Sequence, residues 1–290
     1  HAAMVLACLC IDAGNDEQII QRSGIVQMVA LLSGPNSNIG SKKQAALGLG
    51  RMAVRSSETQ ELIAKAGAIP HLVAWLQGAD KSVLADSAAR ALSAIAREHE
   101  VLQVRIAEAG AIPPLVEMLR SSTSISKPSG SASADQGQLE SHIIAAEALA
   151  TLALNVPANQ TKVAAAGGIP LLVELLSADE RRECKENASK AIAAISPDKD
   201  NKLLILRAGG IPPLVALLSN SSALAQRYVT TALALLASDV TEIQATLHQE
   251  AAHSPLTALL GSEESETQES AMNALICMAS IPVCLATVVK

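Results

Sequence analysis

Residues 109–119 read AGAIPPLVEML, and nearly the same phrase stands at 66–76 (AGAIPHLVAWL), 166–176 (AGGIPLLVELL) and 208–218 (AGGIPPLVALL). A phrase repeated in this way is either a chemical site used several times or a structural joint. Its residues favour the joint. Glycine ends a helix because it adopts positive φ without a Cβ penalty. Proline opens the next helix, since its φ is already helical and its missing N–H is not needed in a first turn. The Leu, Val and Leu that follow then face inward. A phosphate cradle would need a preceding strand and further glycines or a Lys, and none is present.

The Ile of each phrase serves as a marker. It falls at Ile25, Ile69, Ile112, Ile169 and Ile211, and a degenerate copy puts His253 in its place. The steps are 44, 43, 57, 42 and 42 residues. The long step contains SSTSISKPSGSASADQGQ (121–138), a Ser- and Gly-rich stretch without helical periodicity, which reads as a flexible surface insertion. Each period has a short amphipathic helix, the Ile-Pro helix and a long Ala/Leu-rich helix. In the last, Leu84, Ala88, Ala91, Leu92 and Ile95 form one wide apolar face. The chain thus reads as all-α: a single array over 1–290, with a partial repeat at 1–12 and repeats at about 14–55, 57–98, 100–156, 157–197, 199–238 and 240–280.

Composition narrows the function. Hydrophobic residues make up 49% of the 290, but aromatics only 1%, so the core is built from Leu, Ile, Val and Ala. The net charge of −6 gives no basic face for nucleic acid, and the aromatic platforms that stack single strands are missing. No run of about 18 apolar residues predicts a membrane-spanning helix. Five cysteines at irregular spacings read as thiols of a cytoplasmic or nuclear protein.

No catalytic or metal-binding constellation is legible. Gly48-Leu49-Gly50 lies inside a long helix with no strand before it, which excludes a dinucleotide fingerprint. His248 and His253 are five apart, about 140° around a helix, and so miss the i, i+4 zinc geometry. No nucleophile stands with a base, and neither catalytic residue, cofactor nor metal is expected.

The 42-residue three-helix period, the AG-G/A-I-P-x-L-V-x-L-L corner and the long third helix resemble the armadillo repeat family over essentially the whole chain. The resemblance implies a right-handed superhelical solenoid, non-catalytic, whose third helices line a concave groove that holds an extended protein or peptide partner. Peptide-carrying members bear a Trp and an Asn four apart in the third helix. Here the Trp positions read Leu47, Arg90, Glu147, Lys190, Thr231 and Asn273, and the Asn positions read Arg51, Ala94, Thr151, Ala194, Leu235 and Cys277. The departure argues against a nuclear transport adaptor for basic signals. The groove residues it leaves are Gln44, Leu47, Arg51, Ser87, Arg90, Glu147, Thr151, Asn187, Lys190, Tyr228, Thr231, Ser270 and Asn273.

Charge along this face runs from Lys42, Lys43, Arg51 and Arg55 to Glu263, Glu264, Glu266 and Glu269, which predicts a polarised groove for a bipolar partner. The alternative function is substrate recognition within a larger protein, as in armadillo-containing U-box ubiquitin ligases. MVLACLC near the start and LICMASIPVCLATVV near the end are apolar, so the array is expected either to continue or to self-associate there.

Overall fold

A computed structural model describes Cys10, Gly14 and residues 16–21, 23–34, 37–78, 83–120, 132–177 and 181–280. The expected partial repeat at 1–12, except Cys10, and the apolar stretch 281–290 lie outside them. The described residues contain helices and no strand. They group into two compact bodies, residues 1–122 with 127–152, and 123–126 with 153–290.

Each repeat places a short first helix, an Ile-Pro second helix and a long third helix in that order. In the first body these triplets are Asp16–Gln21, Gly24–Ser33, Ile39–Ala53; then Ser57–Lys65, Ala68–Gln77, Val83–Ala96; then Glu100–Glu108, Ile112–Arg120, Ala132–Ala153. The second body continues with Pro157–Ala165, Gly168–Ser177, Arg182–Ile195; Lys199–Arg207, Ile211–Ser219, Ala223–Ala237; and Thr241–Gln249, His253–Leu259, Ser265–Ala279.

The corner between first and second helices is made by one backbone conformation. Gly67, Gly110, Gly167 and Gly209, each two residues before the marker, have φ of 88°, 88°, 79° and 73°. A Cβ at Gly67 or Gly209 would meet nothing within 4 Å, so glycine is used there for its φ and not for space. Ser23 (φ 58°) and Ala251 (φ 54°) adopt the same conformation at the same register in the first and last repeats, against the preference of an L side chain. The amide after the left-handed residue reaches back to the last turn: Ala111 to Ile106, Gly210 to Ile205 and Ala252 to Leu247, at 3.3, 2.9 and 3.0 Å. These are Schellman closures, which satisfy carbonyls that a helix end otherwise leaves unpaired.

The second helix then buries one residue in every repeat. Three positions after the marker stand Met28, Leu72, Leu115, Leu172, Leu214 and Leu256, all with no measurable exposure. Third helices start on side-chain caps where the sequence supplies them. Asn38 accepts from the Ser41 amide at 2.7 Å, and Ser222 accepts from the Ala225 amide at 3.2 Å.

A second repeated feature is polar and buried. Nine residues before the marker stand Gln60, Gln103, Gln160, Lys202 and Gln244, all buried. Each donates to a carbonyl at the C-terminal end of a third helix. Gln60 Nε2 reaches Ala94 and Arg97 at 3.2 and 2.9 Å, Gln103 reaches Thr151 at 2.9 Å, Gln160 reaches Ala153 at 3.2 Å, and Gln244 reaches Ala237 at 2.7 Å. Lys202 Nζ reaches the Ser238 carbonyl at 2.9 Å. The first helix is thus pinned to a helix end that would otherwise carry unsatisfied acceptors.

Residues 132–138 correct the sequence reading. They were expected in the flexible insertion, yet they form the first turns of Ala132–Ala153. Once the apolar segment after Leu139 is helical, adding a turn in front of it needs no new nucleus, and Ala132, Ala134 and Gln136 are compatible with helix. The rest of the insertion, 121–131, lies outside the described residues.

Two stability tests follow from the repeated positions. Ala251→Gly is expected to raise the unfolding free energy by about 0.5–1 kcal/mol, and Gly209→Ala to lower it by about 1 kcal/mol, in urea titrations followed by circular dichroism. Gln244→Leu, which leaves the Ala237 carbonyl buried without its donor, is expected to cost about 1–3 kcal/mol in the same titration.

Candidate functional site: the polar face of the third helices

The third helices bury Ala and Leu on one face and carry varied residues on the other. In the first body Ala45, Ala46, Leu49 and Met52 of Ile39–Ala53, and Ala88, Ala89, Leu92 and Ile95 of Val83–Ala96, are buried. These two helices pack against each other at Gly50, where a Cβ would stand in ordinary van der Waals contact with the Ala91 Cα. On the opposite face Gln44, Arg51, Ser87 and Glu147 are half-buried, and Leu47 and Arg90 are exposed. In the second body Asn187, Lys190, Tyr228, Thr231 and Ser270 are half-buried, and Asn273 is exposed.

Thr151 is different. It is 6% exposed, and its hydroxyl is engaged by the Glu147 carbonyl at 2.9 Å and by Ser93 Oγ at 3.2 Å. The expectation that it faces a partner is corrected: the threonine joins two neighbouring helices. Asn187 also uses its side-chain amide locally, donating to the Glu183 carbonyl at 3.0 Å.

Between Val83–Ala96 and Ala132–Ala153 the polar residues close on one another. Arg90 pairs with Glu140 at 2.7 Å, and one heptad further on Arg97 pairs with Glu147 at 3.5 Å. Ser141 donates to Asp86 at 2.7 Å. Asp86 is nonetheless pushed above the ordinary carboxylate range by burial, partly offset by that hydrogen bond and by Arg90. The expected polarised groove therefore needs correction on this stretch. Arg90 and Glu147 neutralise charges on the adjacent helix and do not present a basic or an acidic end to a partner.

The second body has the same kind of rungs. Ser222 hydrogen-bonds Glu186, which also holds Arg182 at 2.8 Å. Thr231 meets Ser270 at 3.3 Å, and Arg227 pairs with Glu266 at 3.3 Å. The Arg227 guanidinium lies 5.0 Å from the centroid of Tyr228, the chain's one tyrosine, and donates to its hydroxyl at 3.3 Å. This fixes an aromatic ring, by a cation–π contact, on a face otherwise made of small and polar groups.

Among the described residues no three His, Cys, Asp or Glu side chains gather as metal ligands, and no single helix is long and apolar enough to cross a membrane. In each body the face offers hydroxyls, amides and charged side chains, with Leu47 in the first and the Tyr228 ring in the second.

Comparison with known proteins fits this geometry. The family profile described as "Armadillo/beta-catenin-like repeat" matches residues 198–238. A solved designed armadillo repeat protein is 28% identical, with 88% of this chain and 99% of that chain covered at a TM-score of 0.75. The fold is the armadillo repeat. A second designed armadillo repeat protein, solved in complex with the peptide (KR)4, is 27% identical over 88% of this chain and 99% of that one, with a TM-score of 0.71. Computationally designed armadillo repeat proteins for modular peptide recognition give 28% identity, 87% and 99% coverage and a TM-score of 0.71. No curated protein matches the chain.

Within the armadillo frame, the sequence reading missed the buried Gln60, Gln103, Gln160, Lys202 and Gln244 register. Its signal was available, a polar residue at a fixed nine-residue offset from the marker. It was obscured because amphipathic first helices have polar residues at most positions.

His142, on the third helix Ala132–Ala153, is 2% exposed and its pKa falls to about 4 because burial disfavours the imidazolium. The unfolded state binds this proton near pH 6.5 and the folded state only near pH 4. Stability from this residue is therefore fully present above 6.5 and is lost as pH falls towards 4. The loss is expected to be on the order of 3 kcal/mol. His142→Leu is expected to flatten that part of the stability–pH profile measured by chemical denaturation.

Proposed function

We propose that this chain is a non-catalytic interaction scaffold or adaptor that holds an extended protein or peptide segment along the polar face of its third helices. The observation that carries the reading is the division of labour within each repeat. Corner and second-helix residues recur almost unchanged, whereas the outward third-helix positions vary from Ser87 to Asn187 to Tyr228 to Ser270. Positions that set spacing are constant, and positions that could read a partner differ. Similar armadillo structures that bind or were built to recognise peptides support the reading.

The accessible set differs from the one read from sequence by the loss of Thr151. Arg90 and Glu147 stay on the surface, but their charges are committed to Glu140 and Arg97. Recognition then rests on hydrogen bonding and on the Tyr228 ring more than on a charge gradient. An extended segment suits such a face, because its backbone amides and carbonyls recur at a regular spacing and can meet side chains from successive helices. We place the protein in the cytoplasm or nucleus on its cysteine usage.

The test is a peptide-display selection against the whole chain, followed by anisotropy titration of the winning peptide. Tyr228→Ala and Asn187→Ala are expected to weaken its binding by about tenfold or more each, the scale of a central interface contact. Lys162→Ala, on an exposed first-helix position, is expected to leave it within about twofold. A selected peptide whose affinity responds to Lys162 and to neither third-helix residue would contradict the reading.

A further inference from the structure

We propose that the segment held on the third-helix face of the second body carries an Asp or Glu side chain seated on Lys190, an inference that rests on the peptide-binding reading above and names the chemistry of its partner. Lys190 occupies the register shared by Leu47, Arg90, Glu147, Thr231 and Asn273. Two other members of that register are charged, and both are answered within the chain, Arg90 by Glu140 at 2.7 Å and Glu147 by Arg97 at 3.5 Å. Lys190 is not. It is half-buried, and among the described residues no carboxylate stands within 4.0 Å of its ammonium and no hydrogen bond engages it. A half-buried ammonium gives up part of its hydration, and an anion brought by a partner restores what it lost.

The carboxylate best placed to answer it is turned to another use. Glu186 stands four residues before Lys190, the spacing and order in which a Glu–Lys pair on one helix is favoured. Instead it pairs with Arg182 at 2.8 Å and hydrogen-bonds Ser222, with its side chain only 13% exposed. The other outward groups around Lys190 are neutral. Asn187 lies one turn before it, and the next third helix, Ala223–Ala237, presents Tyr228 and Thr231.

No second cation shares the seat. Arg227 is committed to Glu266 and to the Tyr228 hydroxyl, each at 3.3 Å. Lys185, five residues before Lys190, stands about 140° around the helix. One ammonium among amides, hydroxyls and a ring matches one negative charge. A carboxylate brings one, whereas a phosphorylated residue brings about two and calls for a further cation. The contact is a single charge at a single register, set among the hydrogen bonds that hold the rest of the segment.

Random linear peptides selected against the whole chain test this by fluorescence anisotropy. The tightest peptide is expected to hold an Asp or Glu whose replacement by Lys weakens binding about tenfold or more. Lys190→Gln is expected to weaken the original peptide to a similar degree, and Lys190→Glu further. Lys190→Glu is also expected to bind the Lys-substituted peptide about tenfold more tightly than the wild type does. That exchange separates a charge contact from a folding defect, because a damaged chain does not gain affinity for an altered peptide. A peptide that is weakened by Tyr228→Ala but indifferent to Lys190→Gln and Lys190→Glu overturns the seat on Lys190 and leaves the peptide-binding reading standing. A selected peptide without an acidic residue, or a Lys-substituted peptide that Lys190→Glu fails to recover, overturns the seat as well. Indifference to all three substitutions overturns both.

Discussion

The structure depends on one backbone constraint, a left-handed residue two positions before each marker. Gly67, Gly110, Gly167 and Gly209 meet it at no steric cost. It stops the first helix, closes its end with a Schellman bond after Gly110, Gly209 and Ala251, and turns the chain so that the second helix buries the Leu or Met three residues after the marker. Ser23 and Ala251 hold the same conformation with a side chain present, which shows that surrounding packing imposes the corner even where the sequence does not favour it. The buried polar register then ties each first helix to a third-helix terminus, of its own repeat at Gln60, Gln103 and Lys202 and of the preceding repeat at Gln160 and Gln244.

This explains which parts were legible in advance. The corner was legible because Gly and Pro each have one strong local meaning there, and repetition separated that meaning from chance. The polar face of the third helices was legible from periodicity, which placed Gln44, Ser87, Tyr228 and Asn273 away from the core. Two things were not. Thr151 shares the phase of a surface position yet is buried, because the neighbouring Val83–Ala96 helix comes close enough for Ser93 to reach it. Helical phase fixes direction from an axis and says nothing about what stands next to it. Residues 132–138 looked like linker because Ser and Gly dominate the stretch as a whole, whereas its last turns extend a helix that forms for tertiary reasons.

The charges teach a related lesson. Read along the chain, Arg90 and Glu147 suggest a gradient. In the fold they are rungs of a ladder, Arg90 to Glu140 and Arg97 to Glu147, with hydroxyl contacts between. Exposed pairs of this kind add little stability each. Their larger effect is on specificity, since a surface that has neutralised its own charges selects partners by shape and hydrogen bonding.

The central claim is that the constant corner spaces the repeats and the variable third-helix face reads the partner. Photo-crosslinking addresses it most directly. A selected peptide carrying a benzophenone at successive positions is bound to the chain, irradiated, and its attachment sites are mapped by mass spectrometry. The account predicts attachment to third-helix side chains such as Asn187, Tyr228, Thr231 and Asn273, advancing along the helices as the label moves along the peptide. Attachment concentrated on the 66–70 or 208–213 corners and the second helices would contradict it.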